Sequence, residues 1–214
     1  MDQATYWLLR SVVLHPLSVF WLGAEPDDLE LMLNRDHHGL SYEELARLLQ
    51  QLGTQGDLYF SIYDWVDDDV TERVLPLPSL DDLLTALAKD TRLAYALTQQ
   101  GAQRWEAVAH PSWDRYYATR GLETITLTAM DRQLVQELLA LYPYTHEHEA
   151  MVLDSIQWDV ERPWQVTYWK TLPVGYKVTF ETIAKDHEPG PEWAITKWQD
   201  LQQWYTNPFV DNTA

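Results

Sequence analysis

Residues 40–65 read LSYEELARLLQQLGTQGDLYFSIYDW, and the fold turns on them. Ser41 and Glu44 have the S-x-x-E spacing of a capping box, which satisfies two orphan amide donors at a helix start. Leu45, Leu48, Leu49 and Leu52 follow at i, i+3, i+4 and i+7, one apolar stripe on a helical period. Gly53 is expected to end that helix in a left-handed cap. From Asp57 the period becomes two. Leu58, Phe60 and Ile62 alternate with Tyr59, Ser61 and Tyr63, as in a strand with an aliphatic face and a more polar, aromatic one. Helix, tight stop and strand in this order predict an α+β fold.

On the N-terminal side, residues 4–14 predict a helix with Trp7, Leu8, Ser11 and Val12 near one face, ended or kinked by Pro16. Pro26 opens a second helical stretch, with Asp27, Asp28 and Glu30 suited to its positive end. Asn34 to Gly39 reads as a loop. The apolar run 6–24 is interrupted by Arg10, His15 and Pro16 and has no basic flank, so neither a signal peptide nor a membrane span is expected.

On the C-terminal side, Asp67-Asp68-Asp69 reads as a solvated turn, without the glycine and distal glutamate of a calcium loop. Pro76 and Pro78 bracket an extended piece. Ser79 caps a helix with the stripe Leu80, Leu83, Leu84 and Leu87. Arg92 to Leu97 predicts a short strand. Thr98 caps a helix that carries Ala102, Trp105, Val108 and Ala109 and stops before Pro111.

The run Tyr95-Ala96-Leu97-Thr98-Gln99-Gln100-Gly101 resembles the Y-x-L-T-x-x-G junction of bacterial winged-helix proteins, including the PadR and MarR families. The resemblance covers about residues 40–109. It implies a winged-helix-like unit in which a wing strand runs into the next helix. This chain departs from the pattern in an insertion, about Trp65 to Thr91, that holds a whole helix. Trp105-Glu106 with Pro111-Ser112-Trp113 is similar to segments of uncharacterised bacterial proteins.

From Gly121 the pattern changes. Glu123 to Thr128 alternates as a strand, and Ala129 to Leu141 is helical with Leu134, Leu138 and Leu141 inward. Val152 to Val160 reads as a strand. Gln165 to Trp169 and Tyr176 to Ile183 read as a hairpin around Leu172-Pro173-Val174-Gly175. Gly190-Pro191 opens a last helix with Ile195, Trp198, Leu201 and Tyr205. The expected organisation is α+β in two domains. Residues 1–120 form a winged-helix-like half with a helical insertion, and residues 121–214 form a small β-α-β-β-β-α half.

A chain of 214 residues buries roughly 70% of its unfolded surface on folding, enough for a core without cross-links. With no Cys, disulfides, thiolate metal sites and thiol nucleophiles are excluded, which fits a cytoplasmic location. The net charge is −18. Residues 1–120 carry 19 acidic and 9 basic side chains, and residues 121–214 carry 14 and 6, so both halves are acidic. Such a field repels nucleic acid and anionic membranes and attracts basic partners. The helix that would enter a DNA groove, residues 42–52, holds Glu43, Glu44 and a single Arg47, whereas duplex binding needs several cations on phosphates.

Two clusters are candidates for chemistry. His146-Glu147-His148-Glu149 would place His146 and His148 on one face of a strand, where they could hold a divalent metal with His110 or His37-His38. The competing reading is a solvated polar loop, so no cofactor is expected. Trp164, Tyr168 and Lys170 would line one strand face, a candidate interaction surface that is partly exposed, since Trp and Tyr suit half-wet contacts. The phosphate-loop, dinucleotide and nucleophile-elbow signatures are absent. These features favour a non-enzymatic interaction protein that binds or inhibits a basic partner. The rival classes are a divergent winged-helix transcriptional regulator and a metal-dependent enzyme using the His146 cluster.

Overall fold

Short polar side chains open three helices of the N-terminal region. Asp2 caps α1 (Gln3–Ser11) by accepting the Thr5 amide at 2.8 Å. Ser41 and Glu44 form the capping box of α3 (Tyr42–Gln55), and Ser79 with Asp82 repeats it for α4 (Leu80–Ala88). A short strand β1 (Leu17–Ser18) and a short helix α2 (Val19–Gly23) lie between α1 and α3. The computed structural model describes residues 1–23, 40–66 and 69–209. The predicted helix after Pro26, the loop 34–39, His37, His38 and the turn at Asp67-Asp68 lie outside those residues.

The chain divides into two compact units. One comprises Met1–Val108, Thr167–Trp169 and Pro208–Ala214, the other Ala109–Val166 and Lys170–Asn207. In the first, Leu45, Leu49 and Leu52 of α3 are buried and Leu48 is half-buried. The helix does not stop at Gly53. It continues to Gln55, and Gly56 takes the left-handed cap at φ 80°. Gly53 serves packing instead, because a Cβ there would lie 2.4 Å from Leu77 Cδ1 and 2.9 Å from Phe60 Cε2. The predicted strand is β2 (Leu58–Val66). It pairs antiparallel with β3 (Asp69–Leu75) on one side and β4 (Leu93–Leu97) on the other, giving the order β1-β4-β2-β3. The segment between β2 and β4 therefore holds a strand as well as the expected helix, α4.

After β4, Thr98 starts α5 (Gln99–Ala109). Its hydroxyl accepts the Gly101 amide at 3.1 Å, and its own amide donates to Asp57 O at 3.0 Å. Gly101 lies so close to the Asp57 backbone that a Cβ would stand 2.0 Å from Asp57 O. The Asp57 carboxylate is 1% exposed and receives the Arg104 guanidinium and, at 3.3 Å, the Gln100 amide. Residues 95–101 are thus a packing junction between the α3–β2 turn and the β4–α5 turn.

The second unit runs β5 (Tyr117–Arg120), β6 (Thr124–Ala129), α6 (Arg132–Thr145), β7 (Glu149–Met151), a 3-10 turn (Leu153–Ser155), β8 (Gln157–Glu161), β9 (Trp164–Gln165), β10 (Thr171–Leu172), β11 (Gly175–Ala184) and α7 (Glu192–Leu201). Residues 117–120 pair with β6, so they belong to this unit. The expected hairpin between 165–169 and 176–183 is not formed. Trp164–Gln165 pairs with Thr171–Leu172, while β11 pairs with β6 on one side and with β8 and then β7 on the other. Gly175 makes no left-handed turn; it lets the chain pass the Trp164 ring, which a Cβ would meet at 2.7 Å. Ile125, Leu127, Val178 and Phe180 form one sheet face with Val135, Leu138 and Tyr142 of α6 in the same core. The expected helix 129–141 begins later, capped by Asp131, and runs through Pro143. Among the described residues, no helix is long and apolar enough to cross a membrane.

Two substitutions test the first unit. Leu49→Ala empties a fully buried site and should cost about 2–5 kcal/mol. Gly101→Ala gains about 1 kcal/mol of helix propensity. It must also displace the Asp57 carbonyl, an overpacking cost of about 1–3 kcal/mol or more. The expected net effect is destabilisation, read as a lowered denaturant midpoint; a stabilised Gly101→Ala would refute the close junction.

Candidate functional site

The strand β11 outruns its core, and that end of the sheet carries the most exposed apolar side chains of the second unit. The register Glu181↔Thr124 continues through a Thr182 N–H bond to Glu123 O at 2.8 Å, which sets Ile183 opposite Leu122. On the other edge, Val152 N–H donates to Glu181 O at 2.9 Å and Glu181 N–H to Ser155 Oγ at 2.7 Å, which ties down the turn bearing Leu153. Leu122, Leu153 and Ile183 thus emerge from three adjoining backbone segments, 86%, 69% and 60% exposed. Glu123, Asp154 and Glu181 from the same segments are exposed beside them. Side chains of this size left in water cost free energy unless something covers them. The residue pattern does not single out either leucine: Leu122 falls between expected elements, and Leu153 falls inside the expected 152–160 strand, where the structure has a 3-10 turn instead.

The expected surface of Trp164, Tyr168 and Lys170 is arranged differently. Trp164 is 3% exposed and lies in a second core cluster with Tyr116, Val166 and Leu172, its ring stacked 6.2 Å from that of Tyr116. The strand that should have turned it outward is only two residues long. Tyr168 belongs to the first unit, where its hydroxyl accepts the Leu97 amide at 2.6 Å and donates to Val12 O at 2.7 Å. Burial pushes its hydroxyl well above the usual tyrosine range. Lys170 is half-buried with its ammonium 5.1 Å from the centre of the Trp113 ring, a cation–π contact. The three side chains therefore share no strand face.

The histidines also separate. His146 follows α6, and its ring stacks on Tyr142 at 3.7 Å and meets Trp198 edge-on at 5.4 Å. Its Nδ1 lies 3.2 Å from Tyr142 O, which can only accept, so that nitrogen carries a proton and donates it to the carbonyl. His148 stands apart from it, beside Glu147 and His187. His110 is exposed at φ 45° after α5 and is not part of that group. In the first unit, a groove of about 430 Å³ is lined by Ile62, Leu75, Leu77 and Leu93. The acidic residue in its lining, Asp82, is held in the Ser79 capping box.

No protein-family model, curated protein or solved structure matches this chain, so the reading of function rests on the geometry alone.

Burial lowers the pKa of His146 from the ordinary 6.5, with Lys185 adding to the shift and the Tyr142 carbonyl and Glu149 opposing it. The unfolded chain then takes up this proton first as pH falls. Its contribution to stability is full above about pH 6.5 and is lost as pH drops below it. Denaturant midpoints should fall between pH 7.5 and pH 5, and His146→Gln should fall less than wild type. Equal losses would refute a neutral, half-buried His146.

Proposed function

We propose that the protein is a non-enzymatic cytoplasmic interaction module that binds a basic protein partner. The observation that carries this reading is three exposed apolar side chains, Leu122, Leu153 and Ile183, on adjoining hydrogen-bonded segments that also carry the exposed Glu123, Asp154 and Glu181. An apolar centre with a charged rim is the anatomy of a protein interface. The charged residues on these segments are acidic, as is the whole chain at −18, so the complementary surface is basic. The test compares proteins captured from the source cells by wild type, by Leu122→Ser with Ile183→Ser, and by Glu123→Lys with Glu181→Lys. Matched thermal melts confirm folding. A basic protein recovered by wild type at about 50 mM salt, weakened about 10-fold or more by each double variant, supports the reading. Equal recovery by all three proteins refutes it.

A second reading, a divergent winged-helix regulator, has one supporting observation. Helix α3 leads into β2, β4 lies antiparallel to β2, and β4 leads into α5 through the Thr98 and Gly101 junction. In this reading the first unit is a winged-helix-like scaffold whose wing is interrupted by β3 and α4. The charge pattern opposes groove binding. Arg47 of α3 is 2.6 Å from Glu43 on its own helix, an ion pair that competes with any phosphate. No sequence-selective shift of duplex DNA is therefore expected at about 150 mM salt. A retained, selective shift would promote the regulator over the interaction module.

A further inference from the structure

The sheet edge that β7 shares with β11 continues beyond both strands. Lys185 N–H donates to His148 O at 3.0 Å and Glu188 N–H to Glu147 O at 3.2 Å. These two bonds hold residues 185–188 alongside 147–148, although the segments are far apart in sequence. They bring together side chains from both. The His148 and His187 rings lie 4.9 Å apart at 29°, and His187 Nδ1 is 3.3 Å from a Glu147 carboxylate oxygen. One donor atom from each of Glu147, His148 and His187 lies within 4.8 Å of the others.

We propose that Glu147, His148 and His187 form a site for a single divalent transition-metal ion. Two imidazoles and one carboxylate are the donor set that zinc, nickel and cobalt take, and calcium and magnesium do not. Metal bonds of about 2.0–2.1 Å put tetrahedral donors about 3.3 Å apart. The His187–Glu147 separation already has that value, and the remaining donors close the rest by side-chain rotation. His148 and His187 are exposed and Glu147 is half-buried, so rotation is open to them, and water completes the coordination shell. Lys185, the cation in this stretch, points away: its ammonium lies 3.4 Å from Pro143 O and 3.9 Å from Glu188. His146 is outside the set, because its ring is held against Tyr142.

Calorimetric titration of tag-free full-length protein with zinc chloride and nickel chloride, in a buffer that does not bind metal, decides the question. The expected result is one ion per chain. His148→Ala and His187→Ala should each weaken the affinity at least about 10-fold, as loss of metal-site groups does. His146→Ala and His110→Ala should leave it unchanged, with circular dichroism confirming that all four variants fold. Absence of stoichiometric binding overturns the proposal. Binding that survives both His148→Ala and His187→Ala overturns it equally.

Discussion

The first unit depends on the contact of Gly101 with the backbone of Asp57. Two turns, α3 into β2 and β4 into α5, meet there with no side chain between them. Thr98 satisfies the Asp57 carbonyl with its amide and caps α5 with its hydroxyl. The approach buries the Asp57 carboxylate, and a buried charge is tolerable only with full hydrogen bonding. Gln100 in the first turn of α5 and Arg104 in the second supply it, and Arg104 also reaches Gln55 at the end of α3. Removing Arg104 would therefore cost more than an exposed ion pair is worth, because Asp57 would be left in the core unpaired.

In the second unit the corresponding constraint is a single strand. β11 is ten residues long, and its first half lies between β6 and β8 while its last residues lie against β7. Val178 and Phe180 are fully buried at its centre. Three residues past Phe180, Ile183 falls on the other face of the strand from that core and is exposed. Further on, the same edge pairing seats His187 beside His148. The exposed Ile183 and the histidine cluster thus both lie along β11 and the edge pairing that continues from it.

How much of this was legible in the sequence depends on the range of the interactions. Ser41 with Glu44, Ser79, Thr98 and the leucine stripes act within one or two helical turns, and the structure has them as read. Gly53 misleads because a glycine near a helix end signals a cap, whereas Gly56, three residues on, takes the cap and Gly53 makes room for Phe60 and Leu77. The hairpin expected after Trp164 does not form because turn residues at 172–175 say that the chain bends, not which strand it meets; β11 pairs with β6, about fifty residues earlier in the chain. His146 and His148 would share a face only on a strand, but the chain turns at 147–148 between α6 and β7 and sends them apart, and His187 carries no signal at its distance in sequence.

Charge and apolar exposure divide the work of recognition in this reading. A field of −18 acts over a Debye length of about 8–10 Å and raises the rate of encounter with cations, but it does not choose among them. Selection needs short-range contact, and Leu122, Leu153 and Ile183 provide a surface whose burial is worth about 25 cal/mol per Å². A partner that is only basic would therefore associate quickly and leave quickly. A partner that sets an apolar patch among its cations would gain residence time as well, because interface affinity is tuned mainly through dissociation. Neither feature is sufficient by itself: leucines on a neutral surface invite aggregation, and acids without leucines repel nothing except their own kind. Their coincidence at the free end of β11 is what makes this end of the sheet, rather than the buried Trp164 cluster, the place where a partner would be held.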